Sequence, residues 1–394
     1  MNKGFSIGLT AALAFIMAIL VGTCAPAVAQ KERLLYSFDG ANGAYPTASL
    51  ISDAAGNLYG TTSGGGAYNE GAVFELMRKA GGHWTERVLH SFKGGADGAY
   101  PSANLIFDAS VNLYGTTYAG GSNAEGTVFQ LAPKADGIWT EKVLHSFGNG
   151  NDGEHPEAGL VFDATGNLYG TTYEGGANGL GTVFELTPKA RGKWAEQVLH
   201  SFSGKDGASP YAGLITDVGG NLYGTTNTGG ADGFGTVFEL TPKAGGGWTE
   251  QVLHSFNGTD GKNPDAGLIF DASGNLYGPT QDTMFELIPK TGGGWTEKVL
   301  YNSGSTSGLI FDGAGKLYGT TYVGGTTGYG TLFELNRKAD GKWTYLTVYS
   351  FLGEADGDGA SPYAGLILGA SGHLYGTTYQ GGGAGLGTVF EFTP

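Results

Sequence analysis

Hydrophobic positions in this chain fall into short runs rich in Val, Ile, Leu, Phe, Tyr, Thr and Trp, broken by clusters of Gly, Asp, Asn and Pro. Runs so punctuated predict short strands joined by tight turns. They come in groups of four, one of which occupies residues 158–163, 167–172, 182–187 and 194–202. The group returns every fifty-odd residues in the consensus VLHSF-x-G-x-DGA-x-P-x-AGLIFDA-x-GNLYGTTY-x-GG-x-x-G-x-GTVFELTPKA-x-GG-WTE. Its Leu-Tyr pair falls at Leu58-Tyr59, Leu113-Tyr114, Leu168-Tyr169, Leu222-Tyr223, Leu276-Tyr277, Leu317-Tyr318 and Leu374-Tyr375, which makes seven copies.

Strands this short with tight turns pair antiparallel, so each copy predicts a four-stranded sheet, and sheets at this period read as propeller blades. The last copy stops at Pro394 after its third run, while Leu34-Leu35-Tyr36-Ser37-Phe38 reads as a fourth run without its Trp. The expectation is an all-β, seven-bladed propeller whose N-terminal strand (33–38) completes blade 7, pairing an edge that would otherwise be open. The other blades span about 47–92, 102–147, 157–202, 211–256, 265–302 and 307–351, with 363–394 forming the rest of blade 7. Trp84, Trp139, Trp194, Trp248, Trp295 and Trp343 each open a fourth strand, a regularity that predicts packing between blades.

Ahead of the repeats, Lys3, an apolar run over residues 5–21 and Ala27-Val28-Ala29 predict a signal peptide cleaved behind Ala29. A lipoprotein attached through Cys24, the chain's one cysteine, is the alternative; Thr23 is a poor residue ahead of a lipidated cysteine. Cleavage removes Lys3, the only charged residue of the segment, and takes the formal charge from −15 to −16. A chain so acidic would repel phosphate, which excludes nucleic acid and anionic membranes as partners. With no other run long enough to span a bilayer, the mature chain is expected to be a periplasmic or extracellular monomer without disulfides.

The motifs DAxGNLYGTTxxGG and GTVFELTPxxGG resemble those of the GloVer tandem-repeat family of exported bacterial proteins, over essentially the whole mature chain. The resemblance implies an exported repeat propeller and brings no reaction or catalytic residue with it. Family members often end in a sorting anchor; none follows the last repeat here, so attachment by that route is not expected.

Antiparallel order puts the fourth-to-first and second-to-third loops on one face. Those loops are long, glycine-rich and variable, as binding surfaces on rigid scaffolds tend to be. They carry Tyr118, Tyr173, Tyr322 and Tyr379 after the paired threonines, and Asp97, Asp152, Asp206, Asp260 and Asp358 in Asp-Gly elements. Asp-Gly is a turn dipeptide, and one Asp per blade is too few for calcium, which takes about six to eight oxygens. Glu354, Asp356 and Asp358 crowd one loop and are the calcium candidates. Blade 5 has lost its glycine loop at 278–285, and the connection at 302–306 has lost its Asp-Gly element, which predicts a notch in this face.

His90, His145, His200 and His254 share one fourth-strand position with Tyr36, Tyr301 and Tyr349. Each sits on a different blade, so they cannot share one zinc, whose ligands lie within about 2.1 Å of it; interchange with Tyr indicates aromatic packing. No nucleophile elbow, HExxH or P-loop is present. At the start of the first strands, Glu157, Tyr211, Asp265 and Tyr363 point to the channel mouth, where Glu157 and Asp265 are the acid–base candidates. The expected function is binding of a glycan or protein through the loop-rich face. The alternatives are a glycan-active hydrolase or lyase at the channel mouth and a purely structural propeller.

Overall fold

The computed structural model describes residues 31–303, 306–354 and 357–394; the leader with Cys24, and Asp356, lie outside them. Seven four-stranded antiparallel sheets form a ring. In blade 3 the strands, from the channel outward, are Val161–Phe162, Leu168–Thr172, Thr182–Pro188 and Trp194–Ser201. The innermost strand is only two residues long; Leu160 before it joins the core, and Glu157, Ala158 and Gly159 line the channel. The outermost strand carries a register shift opposite Val183 and Phe184, bending it around its neighbour.

GNLYGTT explains the blade residue by residue. Gly166 takes the positive φ of the first turn (88°), a conformation that disfavours any other residue. The Asn167 side chain donates to Asp163 at 2.8 Å, which also accepts the Asn167 backbone N–H at 2.9 Å. Leu168 is fully buried, and the Tyr169 hydroxyl reaches both Asp163 and Glu185 at 3.2 Å. A Cβ on Gly170 would lie 2.6 Å from Phe184 Cζ and 2.9 Å from Leu160 Cδ2, so only glycine fits. Thr171 donates to the Ala212 carbonyl of the next blade, and Thr172 ties to Thr182 at 2.9 Å.

The core lies between blades. Each of seven hydrophobic clusters joins residues of two neighbouring sheets; Tyr169, Val183 and Phe202 of blade 3 meet Leu214, Leu222, Phe238 and Leu240 of blade 4. Trp248 packs against that cluster, its ring edge-on to Tyr169 at 5.9 Å. The tryptophans therefore seal junctions, as their regularity implies.

Closure follows the same rules. Lys31–Ser37 pairs with Thr388–Thr393 and completes blade 7. Phe38, fully buried, then enters the cluster joining blade 7 to Leu50, Leu58, Phe74 and Leu76 of blade 1. Among the described residues no helix is long and apolar enough to cross a membrane.

Candidate functional site

One position per blade, two residues before the glycine of the Ala-Gly-Leu stretch, points at the axis. It holds Thr47, Ser102, Glu157, Tyr211, Asp265 and Tyr363, which line the axial cavity, and Thr306 in blade 6, which does not. In six blades a proline precedes it, itself preceded by a residue at positive φ: Tyr45, Tyr100, His155, Ser209, Asn263 and Ser361. That kinked Xaa-Pro step turns the chain inward at the loop-rich face. The prolines are packed in place; a Cβ on Gly181 would lie 2.6 Å from Pro210 Cδ.

The result is a cavity of about 430 Å³ on the ring axis. Glu157, Tyr211, Asp265 and Tyr363 all line it, together with Tyr322 and Tyr379 from the second-to-third loops of blades 6 and 7. Of the six tyrosines anticipated from the sequence, four are therefore in one cavity. The other two stand behind it: Tyr118 stacks on His155 with centroids 4.4 Å apart, and Tyr173 meets Tyr211 edge-on at 6.1 Å. The loop face and the channel mouth, separate in the sequence reading, are a single site.

The Tyr211 and Tyr363 hydroxyls meet at 3.0 Å across 152 residues of chain, bridging blade 4 to blade 7. Tyr363 is still 41% exposed, so the pair sits at the mouth. Burial, and then the neighbouring Glu157 carboxyl, hold the Tyr211 hydroxyl far above its usual range. Burial also raises Glu157, and pushes Asp265 up to about 6. Among the described residues no lysine, arginine or histidine lines the cavity. Two half-buried carboxyls among four aromatic and several small polar neighbours can accept hydrogen bonds and present ring faces, which suits a polyhydroxylated or cationic ligand.

The turn aspartates behave as turn-formers. Asp152 Oδ1 accepts the backbone N–H groups of Gly148, Asn149 and Gly153 at 2.9–3.1 Å. Asp358 likewise accepts from the backbone of Leu352 and Gly359 and from the Tyr349 hydroxyl at 2.6–2.8 Å, so its oxygens are engaged. In blade 5 the lost loop leaves a tight turn, Thr280 N–H donating to Thr283 at 2.7 Å.

A second arrangement, at the outer rim, has no counterpart in the sequence reading. The fourth-strand histidines do more than pack: His90–Asp97, His145–Asp152, His200–Asp206 and His254–Asp260 are pairs at 3.0–3.2 Å. The glutamate of the next blade's WTE or WAE motif comes up beside each pair; ligand atoms of His200, Asp206 and Glu250 lie within 4.8 Å of one another. Glu32, Glu86, Glu141, Glu196, Glu250 and Glu297 each bury an Oε1 with no partner among the described residues, and burial pushes each up to about 7. The signal was present in the repeat: the His-to-Asp spacing lapses after Tyr301, where the Asp-Gly element is lost, and Tyr301 stacks on Tyr345 instead.

A family model described as the Gloeobacter/Verrucomicrobia repeat matches residues 23–193 and 192–303. No curated protein matches the sequence. Among solved structures, a streptogramin B lyase superposes with a TM-score of 0.57 at 14% identity, covering 92% of this chain and 97% of that one. Virginiamycin B lyase from Staphylococcus aureus gives 0.56 at 13% identity, covering 93% and 99%. PorZ, a bacterial surface component of the type-IX secretion system of Porphyromonas gingivalis, gives 0.55 at 16%, covering 91% and 48%. At such identities the likeness is one of fold.

Proposed function

The chain belongs to the Gloeobacter/Verrucomicrobia repeat family, and on that premise we propose that it is an exported binding propeller whose ligand is a glycan held in the axial cavity. The observation that carries this reading is the convergence of Tyr211, Tyr322, Tyr363 and Tyr379 with Glu157 and Asp265 around one space of about 430 Å³. That volume lies in the usual range of small-ligand sites, about 300–1,000 Å³. Tyrosine faces suit the C–H faces of sugar rings, and the carboxyls suit their hydroxyls. The signal-peptide pattern over residues 1–29 supports a periplasmic or extracellular location for the mature protein.

A glycan array with the mature protein, run with and without calcium, tests the reading. Glycan binding that is lost in Tyr211→Ala and Tyr322→Ala supports it. Binding that survives both substitutions removes the cavity from consideration, and the calcium arm reports on the loop of Glu354 and Asp358.

An enzymatic reading is favoured by one specific observation, the two carboxyls raised by burial in the same cavity as the tyrosines. Groups so tuned serve as general acids near neutral pH. Cleavage of a bound polysaccharide, abolished by Glu157→Gln or Asp265→Asn, would establish it.

A further inference from the structure

Blade 6 departs from the pattern that shapes the cavity wall, having Ser305 where the other copies have the proline ahead of the lining residue. There the cavity continues into a side chamber of about 30 Å³, bounded by Asp265, Thr306, Ser307, Tyr322, Pro362 and Tyr363. Asp265, Tyr322 and Tyr363 also line the main cavity, so the two spaces adjoin.

Two polar atoms in the chamber wall are unmatched. Thr306 is 3% exposed, and its Oγ1 has no hydrogen-bond partner among the described residues. The Oδ1 of Asp265 is equally buried and equally without a partner. Ser307, by contrast, is satisfied by Thr320 at 2.7 Å. Buried polar atoms are almost always paired, and an orphaned pair facing one small space indicates an occupant.

Size and charge define that occupant. About 30 Å³ is room for one or two water-sized groups, each needing roughly 10–15 Å³, and an ammonium group is of similar size. Water would satisfy the hydrogen bonds and leave the charge of Asp265 and Glu157 uncompensated, since among the described residues no basic side chain borders either space. An ammonium carries three donors and a positive charge. It matches Asp265 Oδ1 and Thr306 Oγ1, and the rings of Tyr322 and Tyr363 offer faces that attract a cation.

We infer that the side chamber is an ammonium subsite of the axial cavity, taking the primary amine of an amino sugar whose ring lies among the tyrosines. The inference rests on the glycan-binding reading above and narrows it to an amino-sugar ligand.

The test titrates the mature protein at neutral pH with glucosamine, N-acetylglucosamine and glucose oligomers of equal length, and with calcium or sodium ions alone. Glucosamine oligomers should bind about tenfold tighter or more, the usual worth of a charge-assisted hydrogen bond. Thr306→Val should abolish that preference while the neutral oligomers still bind, and Asp265→Asn, nearly isosteric, should cost the glucosamine oligomers more affinity than the neutral ones. Equal affinity for all three oligomers overturns the subsite and leaves the glycan reading intact. Absence of binding by any oligomer overturns both. A response to calcium or sodium alone that disappears in Asp265→Asn overturns the amine assignment in favour of a metal ion.

Discussion

The six inter-blade glutamates make stability depend on pH in a direction opposite to ordinary acid unfolding. Each is pushed from 4.5 up to about 7, chiefly by burial, and the nearby turn aspartate adds to the rise where it stands beside the glutamate. A carboxyl whose folded pKa lies above its unfolded one holds its proton more tightly in the fold. Between about pH 4.5 and 7 the native state therefore binds more protons, and stability falls as pH rises, levelling off above 7. Fully felt, a shift of that size would be worth about 3.4 kcal/mol per group. These side chains are part-exposed, and solvent screening reduces that to roughly 0.5–1 kcal/mol each, or about 3–6 kcal/mol for six. With an unfolding entropy near 2.1 cal/mol/K per residue, a chain of this length should lose about 4–8 °C in Tm.

His90, His145 and His254 act the other way. Burial lowers them, so their contribution is lost as pH falls below their ordinary 6.5, but they are fewer. Asp108, Asp163, Asp271, Glu334 and Glu391, lowered by their hydrogen bonds, cost stability only as pH falls below the ordinary carboxylate range. Calorimetric Tm should thus peak near pH 5 and decline by about 4–8 °C toward pH 8. Replacing Glu141 and Glu196 by Gln should remove about a third of that decline. A Tm that is flat or rises from pH 5 to 8 refutes the reasoning.

Three further outcomes follow from the scaffold. Deleting residues 31–38 strips the blade 7 edge and removes buried Phe38, a loss of at least about 3–5 kcal/mol measurable by denaturant titration; an unchanged midpoint would show that closure does not depend on this strand. Gly170→Ala drives a methyl into Phe184 and should cost about 1–3 kcal/mol, whereas Gly166→Ala, with nothing within 4 Å, should cost only the backbone strain of its positive φ. Tyr169→Phe removes the hydroxyl shared by Asp163 and Glu185 and should lower stability by about 1–2 kcal/mol with no change in ligand binding.

What the sequence disclosed is what the repeat enforces. Each GNLYGTT stands in one local environment, so its turn, its strand and its contact with the following blade recur and can be read from a single copy. The N-terminal LLYSF is recognisable as a fourth strand because six others define the pattern. The site is different in kind. Tyr211 and Tyr363 are 152 residues apart and touch only because the ring brings the mouths of blades 4 and 7 together; nothing local marks that pair. The rim glutamates were hidden for another reason. In WTE the acid alternates with buried positions and reads as solvent-facing, but in a propeller that side of the outer strand faces the preceding blade's Asp-Gly turn. The loss of that element after Tyr301 is visible in the sequence, whereas the chamber beside Thr306, bounded by Asp265 and Tyr363 from other blades, is not.

The axial cavity as the place of binding is tested most directly by filling it. Ser102 lines the cavity, and Ser102→Trp would occupy much of its space while leaving Glu157, Asp265 and the tyrosines unsubstituted. Calorimetric titration of the best-bound oligomer into both proteins, with Tm measured alongside, should give binding to the native protein and none to the filled one at similar stability. Equal affinity in the two would contradict a site on the ring axis.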